Sequence, residues 1–166
     1  MTATGTVVVG ADGSLAARSA IEYALRYAEH SARDLRIIAV ARVPQYWADG
    51  YGVLALPSPE EVAREMRTVA RLQLEEVRRA HPVLAVVPVT VEATTGAPGP
   101  VLVDAAREAD LLVLGHRGLG PVRSALLGSV GLHCVLHASC PVTIVRAAKP
   151  VEQTPSAEAA LEAAHA

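Results

Sequence analysis

Asp110-Leu111-Leu112-Val113-Leu114-Gly115-His116-Arg117-Gly118-Leu119-Gly120-Pro121-Val122-Arg123-Ser124-Ala125-Leu126-Leu127-Gly128-Ser129 is the stretch on which the fold turns. Its opening after Asp110 is a strand-sized apolar run. Gly115 ends the run, Gly118 follows three positions on, and nine residues then lead to a Gly128-Ser129 pair that opens a predicted helix. Glycine lets a backbone approach a ligand closely and take a positive φ. A helix N-terminus offers unpaired N–H groups and the positive end of a dipole. Strand, glycine loop and helix start together read as an anion cradle, and the usual anion is phosphate. Spacing alone leaves a second reading open, an ordinary glycine-rich turn. The loop is not a P-loop, because no Gly-Lys-Ser/Thr occurs and the one lysine is Lys149. Its glycines read G-x-x-G-x-G and fall late in the chain, so it is not the dinucleotide fingerprint either.

Outward from that stretch, strand and helix signals alternate. Thr6-Val7-Val8-Val9-Gly10 is a buried-strand run, and Asp12-Gly13-Ser14 turns the chain, with Ser14 placed to cap a helix from Leu15 to about Ser31. Leu35 to Ala41 is the second strand. Val43 to Pro57 is a long irregular segment carrying Tyr46, Trp47 and Tyr51. Ser58-Pro59-Glu60-Glu61 is a capping-box helix start, with Val62, Met66, Val69 and Leu72 marking its buried face and an end near His81-Pro82. A third strand from Val86 to Ala93, a helix from about Pro100 to Glu108, the fourth strand, a helix from Ser129 to about His137 and a fifth strand, Val142 to Val145, follow. The alternation predicts an α/β fold: a parallel sheet, helices on both faces, right-handed crossovers. Ligands of such open sheets bind outside the carboxyl ends of the strands, where strand order reverses. If the first and fourth strands are neighbours there, Asp12 and the Gly115 loop face one crevice; spacing does not establish that order.

Composition narrows the partners. The 166 residues suffice for one domain with a sizeable core, and 51% apolar against 19% charged residues predicts folding. A net charge of -2 without a polybasic run argues against nucleic acid and anionic membrane. No apolar run approaches the roughly 20 residues of a bilayer span, and the N-terminus has no signal-peptide pattern, so a cytoplasmic location is expected. Cys134 and Cys140 read as small buried residues. The high Ala, Val and Arg content suggests a GC-rich bacterial genome. Residues 1–147 form the expected domain; 148–166 form an Ala/Glu-rich tail expected to be flexible or docked on a partner.

The G-x-x-G, nine residues, G-S pattern resembles the nucleotide-binding motif of the universal stress protein family, with Gly115, Gly118, Gly128 and Ser129 at its fixed positions. Val8-Val9-Gly10-Ala11-Asp12-Gly13-Ser14 resembles the family's first strand and turn, Ala109 to Gly115 its fourth strand, and Ser139 to Val145 its last. The likeness runs from about Thr6 to Arg146. His116 and Pro121-Val122 depart from the common pattern; neither removes a fixed glycine. The resemblance implies a flavodoxin- or Rossmann-like fold of the adenine nucleotide alpha hydrolase-like type: an open five-stranded parallel sheet in the order 3-2-1-4-5, often dimeric. Members keeping the motif tend to bind ATP. Carried over, Ala11, Asp12 and Val40 would hold adenine and ribose; Gly115, Arg117 and Gly118 would line the ribose and phosphates; Gly128, Ser129 and Val130 would cradle the phosphates. Asp12 is also able to help hold Mg2+, and ADP or AMP would fit the same site.

Bland readings stand beside these. Asp12 is equally suited to cap its turn, and Arg117 and Arg123 to be solvated charges. His133 and His137 have the spacing of some zinc pairs but no neighbouring carboxylate, so no metal site is read there. Tyr46, Trp47 and Tyr51 suit a lid, a dimer contact or core filler. No nucleophile–base pair or catalytic lysine is present, so the expected role is a nucleotide-dependent stress-response or signalling module with at most slow ATP hydrolysis. The alternatives are a small nucleotide-handling α/β enzyme, and a dimeric interaction protein with AMP or a cyclic nucleotide as ligand. Pairing through the last strand, Pro141 to Val145, would make the homodimer.

Overall fold

A computed structural model of the chain describes residues 5–42, 57–116 and 127–147. The aromatic segment, the loop holding Arg117 and Gly118, and the tail lie outside the described residues. Strands β1 (Thr6–Ala11), β2 (Asp34–Ala41), β3 (Val89–Thr95), β4 (Leu111–Gly115) and β5 (Val142–Val145) alternate with helices α1 (Leu15–His30), α2 (Pro59–Ala80), α3 (Pro98–Ala105) and α4 (Ser129–His137). All four strand pairings are parallel and the order is β3-β2-β1-β4-β5. The reversal therefore falls between β1 and β4.

Period-two alternation sorts each strand between two cores. Val7, Val9, Leu35, Ile37 and Val113 pack with Ile21 and Leu25 of α1 and Leu74 and Val77 of α2. Val8, Ile38, Leu112 and Leu114 pack on the opposite face with Leu102 of α3 and Cys134 of α4. Each buried Val, Leu or Ile contributes about 1.5–3 kcal/mol. The contact face of α1 is mostly alanine (Ala16, Ala17, Ala20, Ala24, Ala28), which lets its backbone lie close to β1 and β4.

Local chemistry sets the helix starts. The Ser14 Oγ accepts the Ala17 N–H at 3.1 Å. Ser58 accepts the Glu61 N–H at 3.2 Å while the Glu61 carboxylate accepts the Ser58 N–H at 2.6 Å, so the expected capping box forms.

Three local expectations are corrected. Leu72 is 60% exposed and Gln73 takes its place inside. The buried face of α2 is Ala70, Gln73, Leu74 and Val77, and Leu72 lies about 150° round the helix from its centre. The third strand starts at Val89, because Pro82–Val86 forms a 3-10 turn anchored by buried Leu84, leaving Val86 exposed. The third helix spans Pro98–Ala105, since Pro98 takes its first position.

Candidate functional site

At the reversal, the register Val9↔Val113 carries β1 and β4 side by side to their ends at Ala11 and Gly115. On the other side of β1, Ala11 pairs with Ala39, one residue before Val40. Ala11 is 6% exposed and Val40 8%, and their side chains belong to opposite cores. Main-chain groups are thus what these two positions present at the strand ends.

The turn after β1 is tightly built. Asp12 Oδ1 accepts the Ser14 N–H at 3.0 Å. Gly13 sits at φ +83, a backbone region costly to side chains. The Ser14 carbonyl accepts the Arg18 N–H at 3.1 Å and the Gln73 side-chain amide at 2.9 Å. Asp12 therefore does what the bland reading proposed, and one of its oxygens is committed to the turn. Gln73 is the buried polar side chain that sequence reasoning missed. Its signal was a polar residue on the helical phase of Met66, Val69 and Val77.

Gly115 has a structural task. A Cβ there would lie 2.7 Å from the carbonyl carbon of Ala16 and 2.9 Å from its oxygen. The missing side chain admits the first turn of α1 against the end of β4. Just beyond, the His116 N–H donates to Val145 O at 2.6 Å, and His116 O accepts the Gly128 N–H at 3.3 Å. That last bond closes the base of the glycine loop and fixes the start of α4 at the end of β4.

Gly128 is the N-cap of α4, and among the described residues no side chain caps that helix. Ser129, Val130 and Gly131 occupy its first turn, where main-chain N–H groups have no intrahelical acceptor. Ser129 is exposed and adds a hydroxyl. The structure thus brings Ala11, Asp12, Val40, Gly115, Gly128, Ser129 and Val130 to one edge of the sheet; Arg117 and Gly118 fall outside the described residues. His133 and His137 stack with ring centroids 4.3 Å apart, and His137 Nδ1 lies 2.8 Å from His133 O. Among the described residues no cluster of three or more His, Cys, Asp or Glu side chains is arranged to hold a metal ion.

The model of the universal stress protein family matches residues 4–146. A universal stress protein of Thermus aquaticus is 35% identical over 144 residues, covering 85% of this chain and 98% of the relative. Universal stress protein Mb2019 of Mycobacterium bovis is 33% identical over 150 residues, covering 84% of this chain and 47% of its own length. The chain thus spans about half the length of the mycobacterial relatives it matches. A solved universal stress protein in complex with cAMP is 27% identical with TM-score 0.61, covering 89% of this chain and 100% of that one. UspA of Lactobacillus plantarum, 24% identical with TM-score 0.62 and coverage of 86% and 97%, shares the fold.

Proposed function

Because this chain belongs to the universal stress protein family, we propose that it binds an adenine nucleotide at the β1/β4 reversal and acts as a nucleotide-dependent stress-response or signalling module. One observation carries the reading: the first turn of α4, given no side-chain cap among the described residues, starts at the end of β4, the strand next to β1 and its Asp12 turn. Helix N–H groups without an acceptor suit phosphate oxygens. The similarity to a protein solved with cAMP supports the same ligand class.

In this reading main-chain groups of Ala11 and Val40, with Asp12, hold the adenine and ribose. Gly115, Arg117 and Gly118 line the ribose and phosphates, and Gly128, Ser129 and Val130 cradle the phosphates. ATP is the preferred ligand, with ADP and AMP as smaller occupants. Asp12 supplies at most one carboxylate toward Mg2+, the remaining ligands being phosphate oxygens and water. Among the described residues no hydrogen-bonded nucleophile–base pair stands at this edge, and hydrolysis is expected to stay below about 1 per second.

Gly128→Asp is the decisive variant. Gly128 has φ -65 and ψ 156, which any residue adopts. Aspartate is also a favoured N-cap, so the carboxylate should cap α4 from within and keep the fold stable. The same carboxylate repels phosphate. Calorimetry should show ATP affinity falling by more than tenfold with the melting temperature held or raised. Wild-type affinity in the folded variant removes the site assignment.

A further inference from the structure

A second feature of the sheet's carboxyl edge lies over β2 and β3, away from the reversal. The first turns of α2 and the end of β3 border an open groove of about 440 Å³, lined by Glu60, Arg64, Arg67, Thr94 and Thr95 among others. That size lies within the range of small-molecule sites. Arg64, Arg67 and Arg71 recur at i, i+3 and i+7, which places them on one stripe of α2. All three are exposed, and among the described residues none is in an ion pair. Arg18, Arg26, Arg33, Arg36, Arg78 and Arg107, by contrast, each meet a carboxylate. Like charges at these spacings repel along a helix, an effect that Glu60, four residues before Arg64, and Glu61 offset only at its first turn.

The surroundings favour an anion. Glu60 is the one carboxylate among the lining residues, against two guanidinium groups. Its neighbour Glu61 is engaged in the capping box. Thr95, in phase with Ala93, stands on the α2 side of β3 and adds a hydroxyl to the lining. Ala41 pairs with Thr95, which sets exposed Arg42 one residue beyond the same edge. The nearby start of α3 does not compete, because Pro98 and Pro100 remove two of its first N–H donors.

We propose that this groove binds a compact, multiply charged anion of the phosphate class, held by the Arg64 and Arg67 guanidinium groups and the Thr95 hydroxyl, with Arg71 and Arg42 adding attraction. Guanidinium forks match the geometry of phosphate oxygens. The chemistry is shared by condensed inorganic phosphate and by phosphate esters of small molecules. The groove is separate from the nucleotide site, and neither depends on the other.

Titration with sodium tripolyphosphate, and separately with glycerol 2-phosphate, tests it by calorimetry and amide NMR at low salt. The proteins are wild type, the double variant Arg64→Gln/Arg67→Gln, and Gly128→Asp. Both arginines are exposed, so the double variant should melt as wild type does. Resonances at 64, 67, 94 and 95 should move on titration. Followed by the resonances at the groove, binding should be roughly tenfold or more weaker in the double variant, while in Gly128→Asp the affinity read at 64, 67, 94 and 95 stays within about twofold of wild type, whatever is lost at the α4 cradle. Tighter binding of tripolyphosphate than of the monoester identifies condensed phosphate as the source; the reverse order identifies an ester. Absence of saturable binding up to about 10 mM overturns the proposal. So does binding lost in Gly128→Asp and kept in the double variant, or tighter binding of a glutamate-rich peptide than of either phosphate at these residues. A parallel titration with cAMP, which carries a single charge, follows the nucleotide site alone, so failure of either site is read separately.

Discussion

Gly115 meets a demand from inside the protein whatever it does for a ligand. Its Cβ-less backbone faces the main chain of Ala16, which cannot swing aside as a side chain would. Gly115→Ala should therefore destabilise the fold by about 1–3 kcal/mol in chemical denaturation. Cys134 is the second residue with a clear expectation. It is fully buried, and burial pushes its thiol from an ordinary 9.0 up to about 11; burial raises Cys140 as well. The unfolded thiol ionises first, so the stability owed to the neutral buried form is whole below about pH 9 and is lost as pH rises toward 11. Denaturation midpoints should fall across that window, and less steeply in Cys134→Ala. Native Cys134 should also resist alkylation at pH 8, where its thiolate is scarce. At this scale the sequence was legible for the Asp12 turn, whose Asx, glycine and serine chemistry is local. It marked Gln73 only as a polar residue on a helical phase and was silent on its Ser14 partner and on the tight contact of Gly115, because both depend on helices that dock from elsewhere in the chain.

Among the elements, α2 is the one most completely written in its own residues. Serine, proline and glutamate at its start produced the capping box. Ser58→Ala should cost about 1 kcal/mol, readable as a lower denaturation midpoint. The opposite end of the sheet is tied by Asp110. Its carboxylate pairs with Arg33 and accepts the Thr6 N–H at 2.8 Å, and the Arg33 guanidinium is the main cause that holds it below the ordinary 3.8. Its contribution is present above that value and disappears as pH falls through the lowered one. Asp110→Asn should therefore weaken the protein near neutrality and flatten its acid unfolding curve. Element boundaries were less legible. The sequence places the third strand from Val86, yet Pro82–Val86 forms a 3-10 turn, the strand begins at Val89, and Leu84 becomes a core anchor.

For the whole molecule, β5 is an edge strand, paired among the described residues with β4 alone, and its residues are all partly exposed. Leu132, Val135 and Leu136 of α4 are exposed as well. An open apolar edge is a pairing surface, and the protein should sediment as a homodimer joined through Pro141 to Val145. A monomer at the highest attainable concentration would remove that pairing. Among the described residues no helix is long and apolar enough to cross a membrane.

Local sequence determined the kinds of element, their alternation and the start of α4 at Gly128, because period, capping and glycine content act within a few residues. The resemblance of four short blocks to a known family supplied the strand order, which periodicity does not encode. Only the tertiary structure decided which strand ends meet, that α4 starts at the end of β4 next to β1, and that two arginines in no ion pair among the described residues border a groove over β3. Those are outcomes of packing two faces of one sheet, where residues far apart in the chain compete for the same space and the same hydrogen bonds.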